Sequence, residues 1–117
     1  MRFSFVSSML ILLLLSTPAF AAGPDSAVQL IFRNDGFVPA TLHAPAETRI
    51  EIRIKNARTL PSEFESYDLG SEKVIPGDTT LSLWVGPLKP GKYGFFDDFN
   101  PGIEGTLVVG GDQQDDS

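Results

Sequence analysis

The stretch Glu47–Asn56, ETRIEIRIKN, constrains the fold more than any other part of this chain. Ile50, Ile52 and Ile54 alternate with Arg49, Glu51, Arg53 and Lys55. Residues two apart on an extended chain share a face, so this is a strand with one apolar and one wet side. Such a strand must lay its apolar side on a second layer. The rest of the chain offers strands for that purpose. Ala27–Arg33 reads as a first strand, stopped by Asn34-Asp35-Gly36. Phe37–Pro45 is extended but interrupted by Pro39, which suits an edge or a crossover. Glu63–Leu69 reads as a further strand, and Glu72–Phe99 as strands broken at Pro76-Gly77 and at Gly86–Gly91. Gly105–Gly110 closes the series, and no segment has the period of a helix of useful length. Short strands separated by Pro and Gly turns predict an all-β, Greek-key sandwich of about seven to eight strands.

The ends read differently. Residues 1–21 carry Arg2, an apolar run from Met9 to Leu15, a Pro18 break and small residues at Ala19 and Ala21. That is the pattern of a secretory signal peptide. The apolar run is too short for a stable membrane span, so the expectation is an exported protein without stable membrane insertion. Residues 22–109 form the domain, and 110–117 an acidic, disordered tail. The net charge is −6, and one unit more negative once Arg2 is cut away. An acidic chain repels nucleic acid and suits cations or basic partners. There are no cysteines, which excludes disulfide staples and every thiolate metal site.

Ile54–Ser66, IKNARTLPSEFES, resembles the cupredoxin segment in which a strand ends in Asn and Pro-His opens the next strand after a loop. Leu88–Val109, LKPGKYGFFDDFNPGIEGTLVV, is similar to the cupredoxin C-terminal segment with its ligand loop and closing strand. Pro61–Gly77 and Pro87–Gly105 are similar to small periplasmic cupredoxin-like proteins of bacterial ferrous-iron uptake systems. The resemblance spans about Val28 to Val109. It implies a β-sandwich, export to the periplasm, and a role near iron or copper beside an iron permease or other metal-uptake proteins. It also locates the ligand positions of the family. The first His position holds Ser62, the Cys position Asp97, and the second His position Asn100. The Met position falls near Ile103 or Glu104. A type 1 blue-copper centre needs a thiolate and imidazoles, and these residues supply neither.

Carboxylates remain as the candidate chemistry. Glu63 and Glu65 lie two apart on one strand face, and Asp97 and Asp98 end the aromatic strand before the turn. Within the resemblance these four meet at one pole of the sandwich, where oxygen ligands suit hard cations such as Fe³⁺ or Mn²⁺, and Cu²⁺ more weakly. Each has a plainer reading. Asp97 can cap its loop by accepting backbone N–H groups. Asp98 can be a solvated turn residue. Glu63 and Glu65 can be an exposed pair facing Lys73 or Arg58. Asn100 before Pro101-Gly102 is first of all turn chemistry. His43 is the single histidine and makes no metal site alone. Trp84 can join Tyr67, Phe96 and Phe99 in an apolar patch, or pack under a loop.

No nucleophile–base pair and no phosphate loop is visible, and a short sandwich has little room for a sugar cleft. The expectation is a non-enzymatic accessory protein of iron uptake. It would bind or relay iron, or copper, through Glu63, Glu65, Asp97 and Asp98. The alternative is a metal-free cupredoxin-like module whose acids bind a basic protein surface.

Overall fold

The computed structural model describes residues 26–111. The expected signal segment and most of the acidic tail lie outside them. Nine strands run in the order β1 (Ser26–Arg33), β2 (Gly36–Val38), β3 (Thr41–Ala44), β4 (Ile50–Asn56), β5 (Ser62–Ser66), β6 (Ser71–Ile75), β7 (Thr79–Val85), β8 (Gly91–Asp97) and β9 (Glu104–Val109). They form two mixed sheets, β2-β1-β4-β7 and β3-β9-β8-β5-β6. β1 runs parallel to β4, and β3 parallel to β9; the other pairs are antiparallel. The all-β sandwich expected from the alternation is therefore present, with nine strands instead of seven or eight. Pro39 accounts for part of the difference. It ends β2 at the edge of one sheet, and β3 then begins at the edge of the other. Among the described residues no helix is long and apolar enough to cross a membrane.

The alternation on β4 works as its pattern demands. Ile50, Ile52 and Ile54 are fully buried beside Leu30 and Phe32 of β1. From the second sheet Phe64, Phe95, Leu107 and Val109 meet them. A file of rings, Phe32–Phe37–Phe95–Phe64, crosses between the layers with centroids 4.6, 5.3 and 5.0 Å apart. Gly105 leaves room for it: a Cβ there would lie 2.5 Å from the Phe95 ring. The expected strand over Glu63–Leu69 stops at Ser66, because Tyr67–Gly70 form the turn into β6 with Gly70 at φ +62°.

Outward residues divide the charges. The outer face of the first sheet carries Arg33, Arg53 and Lys55, with Glu51 among them. The outer face of the second carries Glu63, Glu65, Glu72, Asp98 and Glu104. Trp84 lies on the outer face of the first sheet, while Phe96 belongs to the second and Tyr67 to the turn after β5, so the apolar patch offered as one reading does not join them.

Candidate functional site

Asp97 is the last residue of β8 and continues the inward series of Tyr93 and Phe95. β8 pairs with β5 only at Phe64 opposite Asp97 and Glu65 opposite Phe96. One position further a single backbone bond remains, from the Asp98 amide to the Glu63 carbonyl, and the Asp97 side chain takes up the Glu63 amide. Its Oδ1 accepts the Glu63 amide at 3.0 Å and the Phe99 amide at 3.0 Å. Its Oδ2 accepts Asn100 Nδ2 at 2.8 Å. The Asn100 amide returns to the Asp97 carbonyl at 3.1 Å and closes the turn. Asp97 is 1% exposed, and its carboxylate is held by donors on both oxygens.

A cation completes this pole. Arg58 Nη1 lies 3.6 Å from Asp97 Oδ2 and the Arg58 side chain is largely buried. Asn56, which ends β4 and is fully buried, positions the Arg58 loop. Its Oδ1 accepts the Arg58 amide at 3.0 Å, and its Nδ2 donates to the carbonyls of Leu60 and Ile75. The Asp78 amide then donates to the Arg58 carbonyl at 2.9 Å. Gly77 permits that approach, since a Cβ there would collide with the Thr59 carbonyl. Among the described residues, Arg58 Nε and Nη1 and the buried Ser62 hydroxyl have no hydrogen-bond partner.

The donor set at the family's ligand positions does not fit type 1 copper. Ser62 offers a hydroxyl, Asn100 donates its amide to Asp97, and Asp97 is engaged by three donors and a guanidinium. A fixed positive charge beside the carboxylate opposes a second cation there.

The other three sequence candidates lie elsewhere. Strand alternation turns Asp98 to the outer face, where its amide donates to the Glu63 carbonyl at 2.9 Å. Glu63 and Glu65 project from that face on β5. The β5–β6 register sets Glu65 opposite Glu72 and Glu63 opposite Val74, not opposite Lys73. Arg58, the other partner expected for them, is turned to Asp97. Glu63, Glu65 and Glu72 each offer an oxygen within 4.8 Å of the others. Partial desolvation raises the Glu63 carboxyl above its ordinary value, helped by hydrogen bonding with Asp98 and by the charges of Glu72, Asp98 and Glu65. Desolvation first, then Asp98 and Glu72, raises Glu65 in the same sense. These acids repel one another and are placed to gain from a cation. The four candidates therefore form two environments: Asp97 inside among donors, and Glu63, Glu65 and Asp98 outside among acids.

Sequence reasoning named neither Arg58 as the partner of Asp97 nor Glu72 as a member of the cluster. Glu72 had a usable signal. A four-residue turn ending in Gly70 puts Ser66 opposite Ser71 and hence Glu65 opposite Glu72. Arg58 had none, since its direction depends on how a loop packs. His43 sits exposed on edge strand β3 opposite Val108.

A β-sandwich of two mixed sheets in this strand order defines a class, the cupredoxin-like proteins. The chain belongs to the cupredoxin-like domain family, which it matches over residues 5–109. An uncharacterised protein of Rickettsia prowazekii (strain Madrid E) is 35% identical over 94 residues, covering 74% of this chain and 75% of that protein. Among solved structures, the metal-binding domain of the Cu(I)-exporting P-type ATPase CopA of Streptococcus pneumoniae D39, with Cu(I), superposes with a TM-score of 0.67. It is 17% identical and covers 75% of this chain and 88% of its own. Auracyanin A, a blue copper protein of Chloroflexus aurantiacus, superposes with a TM-score of 0.62 at 15% identity, covering 74% and 99%. At such identities the likeness is one of fold.

Proposed function

We propose that this protein is an exported, non-enzymatic cation-handling member of its family, acting in the periplasm as an accessory of iron uptake. It would take its ion at Glu63, Glu65, Glu72 and Asp98 on the outer face of the second sheet. The observation that carries the reading is the convergence of three carboxylates within 4.8 Å, with Asp98 beside Glu63. Carboxylate oxygens suit hard ions, Fe³⁺ above all; among divalent ions the intrinsic order places Cu²⁺ above Mn²⁺, so availability would decide between those two. An exposed cluster exchanges its ion readily, which suits relay to a permease or another metal-uptake protein. The sequence resemblance to iron-uptake cupredoxin-like proteins supports iron as cargo, and the signal-like pattern of residues 1–21 supports export.

The test is calorimetric titration of the protein lacking residues 1–21 with Fe³⁺ as a soluble chelate, Mn²⁺ and Cu²⁺. Stoichiometric binding that Glu63→Gln/Glu72→Gln loses is the expected result. A folded protein that binds none of the three ions removes this reading. One observation favours a second reading, a metal-free interaction module. The pole that carries the ligand positions of the family is filled by the Arg58–Asp97 ion pair.

A further inference from the structure

The same outer face carries an exposed tyrosine with a half-buried phenylalanine beside it, a pair that the cation reading does not use. Tyr67 is 79% exposed, yet its turn is tightly held. The Ser66 hydroxyl donates to the Gly94 carbonyl at 2.6 Å and accepts the Leu69 amide at 3.0 Å. On the far side of Tyr67, Asp68 Oδ2 accepts the Gly94 amide at 2.8 Å. The turn is thus pinned to β8 on both sides of a ring that its own chain leaves in solvent. Phe96 stands beside it, with centroids 5.3 Å apart and planes at 57°. The two rings flank a shallow groove of about 250 Å³ whose rim carries Asp68 and Glu104. A second groove, of about 380 Å³, lies across Tyr67 and is rimmed by Glu65 and Glu72.

The opposite sheet shows how this protein treats an exposed aromatic when a cation is at hand. Trp84 is 40% exposed, and the Arg49 guanidinium sits 4.1 Å from its ring centroid. Among the described residues no Lys or Arg stacks on Tyr67 or Phe96. Lys92, the basic residue of β8 that shares the outward side with Phe96, is four positions away, roughly 13 Å along the strand. Rings with acids on both flanks and no cation of their own match a guanidinium. Its flat face stacks on the ring and its edges reach carboxylates. A bare metal ion gains little from a phenyl or phenol ring, so these rings do not belong to the carboxylate cluster's chemistry.

We propose that Tyr67 and Phe96 form the centre of a docking face for an arginine-bearing segment of a basic partner protein. Its arginine stacks on the open face of the Tyr67 ring, at the groove that Phe96 walls, with Asp68 and Glu104 as acceptors. Charge complementarity selects the partner, and the pinned Tyr67 turn pre-organises the seat. The face is small, so the complex is a transient one. The proposal stands whether or not an ion binds beside Glu63.

The probe is the peptide acetyl-Gly-Arg-Gly-Arg-Gly-amide, titrated into ¹⁵N-labelled protein lacking residues 1–21 at roughly 0.15 M salt, where distant charges are screened. Lysine and glutamate counterparts run beside it. The expected result is shifts centred on Glu65, Tyr67, Gly94, Phe96 and Glu104, larger for arginine than lysine and nil for glutamate. Tyr67→Ser removes an exposed ring and leaves the core intact; it should weaken binding about threefold to fivefold. Glu63→Gln should leave the affinity within about twofold, since that charge lies off the seat. Shifts spread over Asp35 and Asp78 and indifferent to Tyr67→Ser overturn the proposal. So does an absence of shifts, or loss of binding in Glu63→Gln while Tyr67→Ser keeps it.

Discussion

Asp97 and Asp98 are neighbours in sequence with opposite surroundings. Asp97 turns inward and meets two amides, an Asn side chain and Arg58. Asp98 turns outward and meets Glu63 and Glu65. The first carboxylate is satisfied by donors and serves as architecture. The second adds to a group of acids whose mutual repulsion a cation would relieve. Residue type alone does not separate a ligand from a cap; the charges that surround it do.

The largest effect should come from breaking the inner half of this pair. Asp97→Ala strips the acceptor from three donors and leaves the Arg58 charge buried without a counter-ion. Losing one partner of a buried pair costs about 3–5 kcal/mol, measurable by urea unfolding. A variant as stable as the parent would show that the cap carries little. Cation affinity per folded molecule should be unchanged, because Asp97 lies outside the Glu63 cluster.

The outer half should respond in the other direction. Glu63→Gln/Glu72→Gln removes like charges from adjacent strands, so the folded state should gain a little stability at neutral pH. The sign of the pH dependence follows from the raised carboxyls. A raised folded value favours the protonated form in the folded state. This contribution is fully present below the ordinary value of 4.5 and is lost as pH rises through the raised values of Glu63 and Glu65. The midpoint of the double variant should lack that part of the pH dependence. An unchanged profile would mean that the acids are too well solvated to interact.

The smallest effect contrasts the two sheets. Glu51 accepts from the Ser82 hydroxyl at 2.6 Å and pairs with Arg53, and this lowers its carboxyl. Its contribution is present above 4.5 and is lost as pH falls through the lowered value. Carboxyl-carbon NMR should therefore find Glu51 titrating below 4.5 and Glu63 and Glu65 above it. Coincident titration of all three would dissolve the contrast between the faces.

Much of the sandwich was legible in the residues because a strand's period is local. Ile50, Ile52 and Ile54 announce a buried face, and Pro39, Pro76 and Gly77 mark where strands end. The Tyr67–Gly70 turn was harder, since the aromatic and acidic residues before Gly70 also suit a longer strand. At the site, alternation correctly directs Asp97 inward with Phe95. It also sets Glu63 and Glu65 on one face, though not which charges would meet them.

By itself the sequence determined the fold class, the exclusion of thiolate chemistry and the set of carboxylates available. Periodicity and composition act over a few residues and need no partner to be read. Tertiary structure decided what each carboxylate became. Cross-strand register put Glu65 opposite Glu72, and the Asn56-anchored loop delivered Arg58 to Asp97 across 39 positions of chain. Electrostatic character depends on distances between segments, and those exist only once the sheets have packed.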